Sequence, residues 1–174
     1  MKVFTPFILV FVMGATIVMA QAPKKPKSTT MKPVMPYVAD YSSSFSIADD
    51  SYSAKVLNLW KGYEENDLEK NKDYFSENVV AEIANGDVVS GRDNLLKSAK
   101  EYRSSLSNFS TRLLSWISLK SDDTDENWVA VWGEDSFTDG EGKSVKHALH
   151  EIYRFNKEGE VDYMRQYIFI PKEE

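Results

Sequence analysis

The sequence predicts an α+β domain in which helices come first and a curled, mostly antiparallel sheet follows. Three observations carry this prediction. Apolar residues recur at helical spacing between residues 50 and 106. Beyond residue 109 they alternate with polar residues in long runs. Short turns such as Thr138-Asp139-Gly140-Glu141-Gly142 and Asn156-Lys157-Glu158-Gly159 separate those runs, as in a meander.

The first helix follows Asp49-Asp50-Ser51, any of which can cap it, and carries Val56, Leu59, Trp60 and Tyr63. A short second helix starts at Asp67 and carries Leu68 and Phe75. A third begins after Gly91, with Asp93 as a candidate cap. Its apolar stripe is Leu95, Leu96, Ala99, Tyr102 and Leu106, with Lys97, Lys100, Glu101 and Arg103 toward water. Strands are expected at 79–83 and 88–89, on either side of Asn85-Gly86, a strong tight-turn signal. Further strands are expected at 109–119, 128–137, 145–155 and 161–170, and Pro171 stops the last.

The region upstream of this domain has a different composition. Lys2 precedes an apolar stretch at 7–18, and Val18-Met19-Ala20 puts small residues where a signal peptidase cuts. Residues 1–20 therefore read as a signal peptide, which sends the chain to the periplasm or outside the cell. The stretch is short beside the roughly 20 residues of a bilayer-spanning helix, so no stable membrane span is expected after processing. Residues 21–44 read as a solvated Pro/Lys/Ser/Thr tether that passes into an extended, aromatic and serine-rich segment. The domain proper is 45–174.

The chain of 174 residues has no cysteine, which excludes disulfides, a lipidated cysteine and cysteine-based zinc or nucleophile sites. A net charge of −6 without an arginine-rich stripe argues against a general nucleic-acid binder. No Gly-rich phosphate loop, His-Glu-x-x-His or Gly-x-Ser-x-Gly occurs, and no cofactor is expected. His147 and His150 are the only histidines. On a helix they would meet; on a strand their odd spacing sends them to opposite faces. The strand reading of 145–155 therefore predicts no metal site.

The stretch LNLWKGYEENDLEKNKDYFSENVVAEIANGDVVSGRDNLLKSAKEY resembles the front half of a nuclear transport factor 2-like, or SnoaL-like, domain. NWVAVWGEDSFTDGEGK and HEIYRFNKEGEVDYMRQY resemble its closing strands, so the likeness spans 45–171. It implies a cone-shaped (cystatin-like) fold in which a strongly bent, curved antiparallel mixed sheet is wrapped on N-terminal helices around a cavity. Members include isomerases, dehydratases, epoxide hydrolases and polyketide cyclases, and also non-catalytic binding and assembly modules. They share no universal catalytic motif, so the resemblance implies a pocket more than a reaction.

Isomerase- or cyclase-type chemistry needs a base in an apolar cavity and a donor for the developing oxyanion. If the face of His150 is concave, His150 is the candidate base, with Gln166 or a tyrosine as donor. Glu134, beside Trp132, is the second acid–base candidate, or else a rim carboxylate paired with a cation. Glu151 and Arg165 are expected to pair on the outer sheet. Trp60, Tyr63 and Trp132 are candidates for an aromatic ligand-binding wall, together with Gln166. The leading reading is an exported domain that binds a small, mostly apolar ligand without turnover. An isomerase-, cyclase- or dehydratase-type enzyme and a homodimeric association module are the alternatives.

Overall fold

The computed structural model describes residues 34–171. The expected signal peptide and residues 21–33 of the tether lie outside these. From Tyr37 onward the chain forms one compact unit. Its elements are β1 (Phe45–Ile47), α1 (Asp50–Glu64), a 3-10 segment (Leu68–Tyr74), β2 (Phe75–Glu82), β3 (Val88–Ser90), α2 (Arg92–Ser104), β4 (Ser107–Ser121), β5 (Asn127–Thr138), β6 (Ser144–Phe155) and β7 (Val161–Phe169).

The strands make one sheet in the order β1-β4-β5-β6-β7-β2-β3. β4 to β7 form the expected meander. β2 lies parallel to β7, which makes the sheet mixed and carries the chain from one end of the meander to the other. Register shifts in β4, between Ser107 and Ser110 and between Leu113 and Ser115, bend the sheet, as does one in β2 between Phe75 and Val80. Both helices pack on the resulting concave side. Val56, Leu59 and Trp60 of α1 and Leu95 and Leu96 of α2 belong to one core cluster there with Val129, Val131, Tyr153 and Phe155.

Asp49 is the residue that caps α1, accepting the Ser51 N–H at 2.8 Å. Three local expectations are corrected. Phe75 opens β2 rather than ending a helix, because its backbone is already extended and its side chain joins the core. Gly91, not Asp93, sits at the start of α2. Its φ of 88° suits glycine, and its N–H donates to the Val79 carbonyl at 2.8 Å, turning the chain from β3 into the helix. Leu106 lies past the end of α2 but stays buried.

The N-terminal segment is fastened to the convex side. The Tyr41 ring lies 5.1 Å from Trp128 and 6.2 Å from Tyr163, and its hydroxyl is 3.3 Å from that of Tyr163. The Ser43 and Ser44 hydroxyls donate to Asp123 and Asp122, each at 2.7 Å.

Candidate functional site

The concave side of the cone encloses a cavity of about 500 Å³. Strand alternation decides which residues reach it. On β5 the inward set is Val129, Val131, Gly133, Asp135 and Phe137, and β6 turns His147, Leu149, Glu151 and Tyr153 the same way. Gly133 fixes this choice physically. A Cβ there would lie 2.5 Å from the Trp60 ring, so only glycine lets that indole come so close to the strand.

Asp87 lies at the rim of this apolar space, and two further carboxyl groups face it at different depths. Asp135 stands opposite Thr111 and His147 in the register, whereas Glu151 stands opposite Val131 and Gln166. His147 and Glu151 are four residues apart on one strand, about 13 Å of rise. The cavity therefore has an outer level at Asp135 and an inner level at Glu151.

At the inner level, Glu151 is only 6% exposed. The Trp60 indole N–H donates to the Tyr153 hydroxyl at 3.0 Å, and that hydroxyl donates to Glu151 Oε2. Gln166 Nε2 donates to Oε1 at 2.8 Å. Burial pushes the Glu151 carboxyl up from its ordinary range, and the Tyr153 and Gln166 donors oppose that only in part. No lysine or arginine pairs with it among the described residues. Burial also drives the Tyr153 hydroxyl up, with the Glu151 charge adding to it.

At the outer level, Thr111 Oγ1 donates to Asp135 Oδ1 at 2.7 Å. Burial, with the nearby Glu151 and Glu64 charges, pushes the Asp135 carboxyl up to about 6, while the Thr111 hydrogen bond and Arg103 pull the other way. Aromatic rings run round this level. Tyr63 meets Phe109 edge-on with centroids 5.5 Å apart, Phe109 stacks on Phe137 at 5.8 Å, and Phe137 meets the His147 ring at 5.2 Å. Burial raises the Tyr63 hydroxyl and lowers the His147 imidazole.

The structure distributes the sequence candidates over both faces. Trp60, Tyr63 and Gln166 line the cavity. His150, Glu134 and Trp132 lie on the opposite, convex face. His150 is stacked between Trp132 at 4.6 Å and Tyr167 at 5.7 Å, with Nδ1 3.2 Å from the Val131 carbonyl oxygen. Glu134 is held by Arg112 at 2.7 Å and Lys146 at 3.0 Å, which keep its carboxyl below the usual range. A cavity base at His150 requires its face to be concave, and the bend runs the other way. The expected Glu151–Arg165 pair is also corrected: Arg165 pairs with Glu82, and Glu151 belongs to the cavity. His147 and His150 do point to opposite faces, as the strand reading requires.

Asp135 and Glu151 are the residues that sequence reasoning passed over. The available signal was Gly133 among Val129, Val131 and Phe137. A glycine in an otherwise bulky apolar face marks close approach by another element, here α1, and so marks the packed side.

No family model and no curated protein matches the sequence. Solved structures do match in fold. A protein of unknown function from Cytophaga hutchinsonii, described as NTF2-like, is 15% identical, with a TM-score of 0.51 over 67% of this chain and 97% of its own. SalBIII, an epoxide hydrolase/cyclase-like enzyme with a role in pyran ring formation in the polyether salinomycin, is 18% identical, with a TM-score of 0.56 over 69% and 92%. A ketosteroid isomerase-like protein from Erwinia carotovora atroseptica is 13% identical, with a TM-score of 0.56 over 69% and 95%. The chain has the nuclear transport factor 2-like α+β cone fold. Structures with that fold include isomerase-like and cyclase-like proteins as well as proteins of unknown function.

Proposed function

We propose that the cone cavity binds a small, largely apolar molecule and that Glu151 moves a proton on it. The observation that carries this reading is a carboxyl group buried at the inner end of an apolar cavity with no lysine or arginine paired to it among the described residues. A structural carboxylate is normally paired or solvated, and one whose acidity is weakened by burial in an apolar pocket is suited to proton transfer. Tyr153 and Gln166 fix its orientation, and Trp60 fixes Tyr153. The volume of about 500 Å³ falls in the range of small-molecule sites. Binding without turnover suits a cavity that lacks an acid–base group; Asp135 and Glu151 favour turnover instead.

The test starts from small-molecule extracts passed over the immobilised chain, with Leu149→Trp, which fills the cavity, as the control. A compound retained by the native chain alone is then incubated with native and Glu151→Gln protein. Conversion should fall by about 100-fold or more in the variant. Failure to retain any compound, or equal conversion by both proteins, would overturn the reading.

We further infer that the protein works outside the cytoplasm, supported by the leader-like composition of residues 1–20, and that it pairs with a second copy through its convex face. Trp132, Tyr167 and Phe169 are 37%, 47% and 67% exposed on that face. Beside them, Glu134 sits between Arg112 and Lys146, an excess of positive charge. Toward the other end, Arg154 sits between Glu126 and Asp162, an excess of negative charge. A two-fold axis through the aromatic row would lay each triad near the other.

A further inference from the structure

We propose that the outer level of the cavity is an ammonium site, so that the preferred ligand is an apolar molecule carrying a basic amine. This rests on the reading of the cone as a small-molecule site and narrows its ligand class.

The first support is the sign of the lining. Asp87 at the rim, Asp135 and Glu151 face the cavity, and among its described lining residues there is no lysine or arginine. An anionic ligand would meet carboxyl groups and no compensating cation, and leaving such a charge unpaired in an apolar space is costly. Arg103, the cation lying behind the collar, is already committed. Its guanidinium donates to the carbonyls of Tyr63 at 3.1 Å, Glu64 at 2.8 Å and Leu106 at 3.2 Å, with its carbon 4.3 Å from the Phe109 ring centroid.

The second support is the ring collar. Tyr63, Phe109, Phe137 and His147 touch in series around the level of Asp135, and Tyr102 lines the same space. Aromatic faces attract a cation, and the attraction grows when water is excluded. A neutral polar ligand can hydrogen-bond to the Tyr63, Tyr102 and His147 polar atoms, but only a cation also gains from the Asp135 charge. A carboxylate inside an aromatic wall matches an ammonium in both charge and shape.

The groups that face Asp135 do not neutralise it. They are Thr111 on β4, His147 and Glu151 on β6, Tyr63 and Glu64 on α1, and Tyr102 and Arg103 on α2. Of these only Arg103 is a fixed cation, and the carboxyl still titrates at about 6. Arrival of an ammonium would hold it ionised and expel its proton.

The experiment uses three probes that share one ring system: 2-naphthylmethylamine, 2-naphthylmethanol and 2-naphthoate. Titration calorimetry at pH 6, in two buffers of different ionisation enthalpy, reads affinity and proton release together. The amine should bind at least about tenfold tighter than the alcohol and the carboxylate least. Amine binding should release protons and alcohol binding should not. Asp135→Asn should bring amine and alcohol to equal affinity. If the alcohol binds and the amine binds no better, or if the native chain takes up the amine without releasing protons, the ammonium site is overturned and the small-molecule reading stands. If none of the three binds, both fall.

Discussion

A carboxyl group whose proton leaves late makes folding depend on pH with a definite sign. Asp135 has an ordinary value of 3.8 and is raised to about 6 by burial. The folded state therefore holds the proton more tightly than the unfolded chain. Its contribution is fully present below pH 3.8 and falls away as pH rises to about 6, after which it is constant. Across that window the loss is about 2–3 kcal/mol. Asp135→Asn removes it, so the stability difference between variant and native protein should shift in the variant's favour between pH 4 and pH 7. Calorimetric melting at the two pH values checks this, because titrating groups remote from Asp135 cancel in the difference. A difference independent of pH would mean that Asp135 is solvated. Alternation alone places Glu151 with Leu149 and Tyr153, and Asp135 with Val131 and Phe137. It does not say which face a sheet turns inward, because that depends on bulges and on where α1 lands. The histidines attract attention by their chemistry, yet the enclosed side also holds two carboxyl groups, Asp135 and Glu151, whose acidity burial weakens.

At the scale of elements, α1 and β5 are matched through one missing side chain. The Trp60 ring occupies the space that a Cβ at residue 133 would need. Gly133→Ala should therefore push the indole off the strand and cost about 1–3 kcal/mol, measured by urea unfolding followed by circular dichroism. The displaced indole would also lose its hold on Tyr153, so any turnover should fall together with stability. A substitution that leaves both unchanged would show that α1 can shift without strain. Most elements were legible because each obeys a local rule: the Asp49 cap, the 3.6-residue stripe of α1, the Asn85-Gly86 turn and the two-residue rhythm of the closing strands. The ends were less legible. Phe75 and Leu106 are apolar residues next to helices, and spacing cannot distinguish the last residue of a helix from the first residue beyond it.

For the whole molecule, the parallel pairing of β2 with β7 could not be derived from pattern alone. It joins segments some 80 residues apart, and neither strand carries a mark of its partner. The resemblance implied a bent, mixed sheet around a cavity without saying which strands pair in parallel. A cone has a closed side and an exposed side, and the exposed side here is aromatic. Trp132→Glu should convert a dimer to a monomer in light scattering while leaving the melting temperature of the monomer nearly unchanged. A native chain that is monomeric at micromolar concentration would remove the second copy from the account.

Trp60, resting on Gly133 with its nitrogen held by Tyr153, has an optical consequence. Of the four indoles in the chain, Trp116 and Trp132 are partly open to water, and Trp128 lies under Tyr41 on the convex side. Only Trp60 borders the cavity. Its emission is a built-in gauge of occupancy: a guest that displaces water from the cone should shift the colour of that one fluorophore and leave the other three unchanged.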